Sequence, residues 1–131
     1  PDIAEAAHKA GAQAVVIANT VLGMAIDIES RKPILGAKRG GLSGPAIRPI
    51  AVRAVFDTHE AHPELPIIGV GGINSAEDAL EFILAGATGL QIGTATFKDP
   101  RICKKVIAGL SRWCESHEVK RISDLIGGAH G

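Results

Sequence analysis

Two short aliphatic runs in this chain end in the same way. Ile67-Ile68-Gly69-Val70 runs into Gly71-Gly72, and Leu90-Gln91-Ile92 runs into Gly93-Thr94, with a helical pattern after each. Aliphatic runs without polar alternation belong to strands covered on both faces, and strands joined through helices lie parallel. A third run, Ala14-Val15-Val16-Ile17-Ala18, ends in Asn19-Thr20. The repeated unit is therefore strand, polar or glycine turn, helix. Aromatic residues make up only 3% of the chain against 46% hydrophobic. Ala, Val, Ile and Leu must build the core, which suits a parallel sheet under helices.

The remaining pattern fills in around these strands. A helix is expected over 2–11, between Asp2 as N-cap and Gly11 as its stop. A long glycine-rich connection, 21–44, ends in Arg39-Gly40-Gly41-Leu42-Ser43-Gly44. Loops of that length inside a compact domain are functional or disordered. Pro45 opens a helix over 46–61, where Ile47, Ile50, Ala51, Ala54 and Val55 recur at helical spacing. Ser75 is placed as the N-cap of a helix over 76–85, with Asp78 near a capping-box position. That helix puts Ala79, Leu80, Ile83 and Leu84 on one side. Strand 88–92 leads to a helix over 99–116, with Ile102, Val106, Leu110 and Trp113 on one face. A last helical turn covers 122–127. Lys9-Ala10-Gly11-Ala12 and Leu84-Ala85-Gly86-Ala87 both read as tight turns from a helix into the next strand.

Alternation of this kind calls for right-handed crossovers. Three strands make a good part of a larger sheet. The expected fold is α/β, part of a (β/α) barrel. Pro1 opens inside a helical pattern with no strand before it, so residues 1–131 are expected to be one partial barrel domain.

Fourteen basic residues balance fourteen acidic ones, which argues against nucleic-acid or membrane recognition through bulk charge. No apolar run reaches the length of a membrane span, and no signal-peptide pattern opens the chain. Cys103 and Cys114 share one predicted helix about 16 Å apart, too far for a disulfide. Free thiols fit a reducing cytoplasm, and both are expected to act as small packed hydrophobes.

The candidate chemistry lies at the strand ends. Gly71-Gly72 and Gly93-Thr94 each join a strand to a helix, where bare backbone N–H groups can point at an anion. In (β/α) barrels the turns after the last two strands form such a phosphate site. Asn19-Thr20 stands at the same end, either as a substrate-binding amide and hydroxyl or as an Asx-type turn. Gly40–Gly44 could lie over a flat cofactor or bind phosphate oxygens. Lys38 and Arg39 beside it read as solvated loop charges. The five histidines show no metal-ligand spacing; His117 and His130 stand in polar, exposed-looking surroundings. Asp27, Glu29 and Asp57 have no evident partner, and no carboxylate follows a strand directly. The residues give binding without a general base, so a phosphorylated cofactor would supply the reactivity.

Taken together, Asn19-Thr20-Val21-Leu22-Gly23-Met24, Arg31-Lys32-Pro33-Ile34-Leu35, Gly40-Gly41-Leu42-Ser43-Gly44-Pro45-Ala46-Ile47, Pro66-Ile67-Ile68-Gly69-Val70-Gly71-Gly72-Ile73 and Gln91-Ile92-Gly93-Thr94-Ala95 resemble the C-terminal part of the dihydroorotate dehydrogenases. The Pro-Ala-Ile-Arg-Pro and Ile-Gly-Thr-Ala stretches are similar to the NAD-linked class 1B. A related region of dihydropyrimidine dehydrogenase shares Ala-Ile-Arg-Pro-Ile-Ala and is the competing resemblance. A non-catalytic, self-associating phosphate-binding half-barrel is the alternative of a different kind.

The resemblance implies that this chain is the C-terminal part, about strands six to eight, of a (β/α)8 TIM barrel, with the N-terminal half absent, and that FMN lies at the carboxyl ends of the strands. Ala18, Gly44, Gly71, Gly72, Gly93 and Thr94 would bind that cofactor, and Asn19 and Thr20 would bind dihydroorotate or orotate. It also implies a catalytic cysteine in the N-terminal half of the barrel, so no residue of this chain, Cys103 and Cys114 included, is assigned as catalyst. The implied reaction is oxidation of (S)-dihydroorotate to orotate in pyrimidine synthesis. A homodimer of such subunits would pass electrons to NAD through a partner subunit carrying FAD and a [2Fe–2S] cluster.

Overall fold

The computed structural model describes all 131 residues. Helix α1 (Asp2–Lys9) leads to strand β1 (Val15–Ile17). Four short strands follow: β2 (Val21–Gly23), β3 (Ile26–Asp27), β4 (Lys32–Pro33) and β5 (Gly40–Leu42). A 3-10 turn, Pro45–Ile47, feeds α2 (Arg48–Ala61). Then come β6 (Ile67–Val70), α3 (Ala76–Leu84), β7 (Gly89–Gln91), the single-turn α4 (Ala95–Lys98) and α5 (Ile102–Ser116). Two 3-10 turns, Ile122–Leu125 and Gly128–His130, end the chain.

The three aliphatic runs form one parallel sheet in the order β1-β6-β7. Val15 pairs with Ile67, and Ile68 with Gly89. The central strand is the most enclosed, with Ile67 and Gly69 buried. Gly69 is glycine because α3 lies too close for anything larger: an added Cβ would sit 2.6 Å from Phe82 Cδ1. Phe82 is fully buried and packs with Val55, Ile67, Ala79 and Val106 in the main core. Burial of one such ring contributes about 2–3 kcal/mol. Helices α2, α3 and α5 supply the apolar stripes, through Ala51 and Val55, Ala79 and Phe82, and Ile102 and Val106.

The segment 21–44 is not the irregular loop expected. It is an arm of two nested antiparallel ladders, β2 with β5 outside and β3 with β4 inside. No residue between Ala4 and Gly44 is buried. β3 and β4 lack the burial alternation that marks a strand in sequence, and β4 carries Pro33 while β5 opens on Gly40-Gly41.

Smaller differences have local causes. Asp2 lies inside the first turn of α1, with Pro1 at the cap position. Ile50 is exposed while its helical neighbours Ile47 and Ala51 are buried, so the apolar stripe of α2 is narrower than its composition. The helix expected over 99–116 begins only at Ile102, after Asp99-Pro100, and the single turn α4 before it is not expected from the sequence. Cys103 is exposed and Cys114 half-buried, so Cys103 is no core residue. His130 is half-buried: its ring stacks on Phe56 at 3.8 Å, and its Nε2–H donates to Ala85 O. Trp113 stacks on His117 in the same manner. No helix is long and apolar enough to cross a membrane.

Candidate functional site

The carboxyl ends of β5, β6 and β7 meet around a cavity of roughly 270 Å³. Gly44, Gly72, Gly93 and Thr94 line it, with Pro45, Ile73, Asn74, Ala95 and Lys98. Three of the four residues expected to grip a phosphate, Gly72, Gly93 and Thr94, therefore share one pocket with Gly44, which is expected against the cofactor. Nothing lies within 4 Å of an added Cβ at Gly44 or Gly93, so each bare backbone faces open space. The amide N–H groups of Gly72 and Thr94 donate to no carbonyl of the protein. Thr94 Oγ1 donates to Ser43 Oγ at 2.8 Å, which ties the end of β7 to the approach to Gly44.

Gly71 has a different place. It is buried, at φ +137°, and an added Cβ would meet Ala51 Cβ at 2.9 Å and Ile47 Cδ1 at 3.3 Å. It lets the turn lie flat on α2 and stands beneath the pocket wall. Gly72 follows at φ +76°, against Gly44 O and Arg48. Left-handed backbone of this kind favours glycine.

Ala18, Asn19 and Thr20 lie outside this cavity, at the end of β1. Ala18 N donates to Val70 O at 2.9 Å, and the Ile17–Ala18 peptide is cis. Asn19 Oδ1 accepts from the amide of the next residue, Thr20 N, at 2.7 Å, not from the amide two residues on that an Asx turn would use. The Thr20 side chain packs under Gly41 at the root of the arm. All three stand at the same end of the parallel sheet as the glycine turns, one strand over from Gly71-Gly72.

Sequence reasoning missed three contributors. Lys98 lines the cavity and makes no salt bridge; it sits on a single-turn helix that no periodicity reveals. Arg48 pairs with Asp78, and its Nε reaches Glu81 at 3.3 Å. Asn74 Nδ2 donates to Gly72 O at 3.3 Å. Lys38 and Arg39 are exposed on the arm and do not line the pocket.

A second cavity adjoins the first through Asn74, Ala95 and Lys98, and continues to Arg101 and Lys105. Its one carboxylate, Asp99, is already paired with Arg101 and Lys105. Lys105 and the Arg101 amide hydrogen-bond the Asp99 carboxylate and hold its pKa below the ordinary value.

The site is thus a set of donors: free amides, one hydroxyl and one cation. No carboxylate or imidazole lines the first cavity, and no cluster of three metal-ligating side chains occurs. It can bind and orient an anion but has no group to move a proton. A flavin phosphate fits: two cradle positions open where a side chain would fill the space, and the donor set suits a dianion.

Known proteins match this chain along nearly its whole length. The family model for dihydroorotate dehydrogenase matches residues 1–113. The catalytic subunit of dihydroorotate dehydrogenase B (NAD(+)) from Pelobacter propionicus is 53% identical over 125 residues, covering 95% of this chain and 41% of the relative. The protein of the same name from Parabacteroides distasonis is 52% identical, covering 96% and 41%. In structure, dihydroorotate dehydrogenase from Eimeria tenella, solved in complex with ferulenol, superposes with a TM-score of 0.81. It is 27% identical and covers 98% of this chain and 34% of its own. The three-stranded parallel sheet is therefore part of a TIM barrel, and the chain spans about 41% of the length of these curated relatives. With a matched family model over most of its residues and relatives of half identity along nearly its whole length, this chain belongs to the dihydroorotate dehydrogenase family.

Proposed function

We propose that this chain forms the phosphate-gripping part of an FMN site in an enzyme that oxidises (S)-dihydroorotate to orotate for pyrimidine synthesis. The single observation that carries the reading is the convergence of Gly44, Gly72, Gly93 and Thr94 on one donor-lined cavity. The family's activity and the name shared by the curated relatives support the substrate.

FMN, when bound, supplies the hydride acceptor. The chain's own residues bind and orient. The amides of Gly72 and Thr94 would donate to phosphate oxygens, and Lys98 would balance part of the charge. Gly71 would keep the turn low enough for that approach, and Ala18 would present backbone at the neighbouring strand end. Asn19 and Thr20 would hold the dihydroorotate or orotate ring. The proton would pass to a cysteine outside this segment. In the NAD-linked arrangement a homodimer of such subunits would work in the cytoplasm with a partner carrying FAD and [2Fe–2S]. The relatives' designation as a catalytic subunit supports a second subunit.

The test uses the complete enzyme chain that carries this segment. Under anaerobic conditions (S)-dihydroorotate should bleach its flavin absorbance, dihydrouracil should not, and NAD should restore colour only with the partner subunit present. Bleaching by dihydrouracil alone would move the enzyme to the dihydropyrimidine dehydrogenase branch.

A further inference from the structure

The cavity has two lips that belong to different strand–helix units. Gly44 precedes α2; Gly72 precedes α3. They touch: an added Cβ at Gly72 would sit 2.7 Å from Gly44 O, 3.0 Å from Arg48 Cβ and 3.1 Å from Arg48 N. Contact alone does not fix the gap between two loops, because each can slide along the other.

One side-chain network crosses that gap. Arg48, the first residue of α2, pairs through Nη1 with Asp78 Oδ1. The other oxygen of Asp78 accepts from Asn74 N at 2.8 Å. Asn74 in turn donates through Nδ2 to Gly72 O. Asp78 N donates to Ser75 Oγ, the N-cap of α3. Asp78 is 8% exposed, and a carboxylate that enclosed needs its partners. Arg48 is the right partner because its fork reaches both Asp78 and Glu81, a geometry that an ammonium does not reproduce.

We infer that the Arg48–Asp78 pair is a positioning device that sets the spacing of the two glycine lips and thereby tunes the site for a phosphate group. The inference rests on the FMN reading of the cavity and adds a role for two residues that do not line it. The pair touches no phosphate; it acts through Asn74 and the Gly71-Gly72 turn. Its loss should therefore weaken only ligands that carry the phosphate.

The experiment compares FMN with riboflavin, which has the same ring and no phosphate. The complete apoenzyme is titrated with each by fluorescence quenching. Asp78→Asn and Arg48→Met should raise the FMN Kd at least tenfold while riboflavin stays within twofold. Arg48→Lys, the milder variant, should raise the FMN Kd about two- to fivefold and leave riboflavin unchanged. Equal weakening of both flavins would show a merely structural role, and an unchanged FMN Kd would show none; either overturns the inference. If the unsubstituted enzyme held riboflavin as tightly as FMN, the phosphate reading beneath it would fall first.

Discussion

The sheet with its helices and the arm are built on opposite principles. From Ala76 to Ala87 most positions are buried, and Phe82, Ala79 and Ala87 are almost wholly enclosed. From Val21 to Leu42 none is, and Leu22, Met24, Ile26, Ile28, Ile34, Leu35 and Leu42 stand exposed. Within this segment the first region is held by packing and the second by backbone ladders. Burial marks the residues that carry the scaffold, whereas exposure of apolar residues in a ladder leaves the chain's shape to hydrogen bonds and turns. The pocket forms where the two meet, with Gly44 at the foot of the arm and Gly72 and Gly93 on the scaffold.

The strongest test of that contrast pairs Phe82→Ala with Ile28→Ala. The first removes a wholly buried ring and should cost about 3–5 kcal/mol. The second trims a side chain that is 81% exposed and should stay within about 0.5 kcal/mol. Denaturant midpoints of the complete chain decide it, and a comparable loss at Ile28 would mean that the arm has a packed partner.

Glycines sharpen the same contrast. Gly86 has φ +115°, and an added Cβ would lie 2.2 Å from His59 Cγ. Gly86→Ala should cost about 2–4 kcal/mol from left-handed strain and overpacking together. Gly36 in the arm meets nothing within 4 Å, so Gly36→Ala should change thermal unfolding little.

At the seam, Lys98→Met should weaken FMN binding about five- to thirtyfold, corresponding to roughly 1–2 kcal/mol for one charge-assisted contact. The loss should shrink as salt is raised, because Lys98 is exposed to solvent. A salt-independent loss would point to packing instead.

The smallest effect concerns pH. Burial, and then the neighbouring His130, lower the pKa of His59 below its ordinary value. The unfolded chain therefore takes up that proton more readily than the folded one. The contribution of neutral His59 is fully present above about pH 6.5 and declines as pH falls toward the lowered folded value. Amide exchange over Gly127–His130, which rests on this side of the scaffold, should quicken below that pH, and His59→Gln should flatten the dependence.

Much of the scaffold was legible because burial writes periodicity into sequence. The three aliphatic runs, their parallel order and the Ser75 cap all came from local pattern, as did the glycine turns at the strand ends. The arm was not legible: β3 and β4 are two residues each, too short to show alternation, and Pro33 argues against a strand. His130 looked exposed because only tertiary stacking on Phe56 encloses it. Arg48 and Asp78 are thirty residues apart in the chain, so no window of sequence could pair them. Lys98 stayed hidden for a simpler reason: one turn of Ala-Thr-Phe-Lys has no face.

The nesting of the arm also bears on how the chain finds its fold. Strand β1 must meet β6 across the whole of α2 and the arm, with Val15 opposite Ile67. Inside that span Asp27 closes on Lys32, and Leu22 on Gly41. Hairpins of this kind zip within about 1–10 μs, and each bridge formed shortens the stretch still to be closed. Loop-closure entropy changes by only about 0.6 kcal/mol per doubling of length, so the arm saves a few tenths of a kcal/mol at most. Its larger effect is on order of events: a segment with no core of its own can be shaped before the sheet it interrupts, and so delivers Gly44 close to the strand ends that it will help to line.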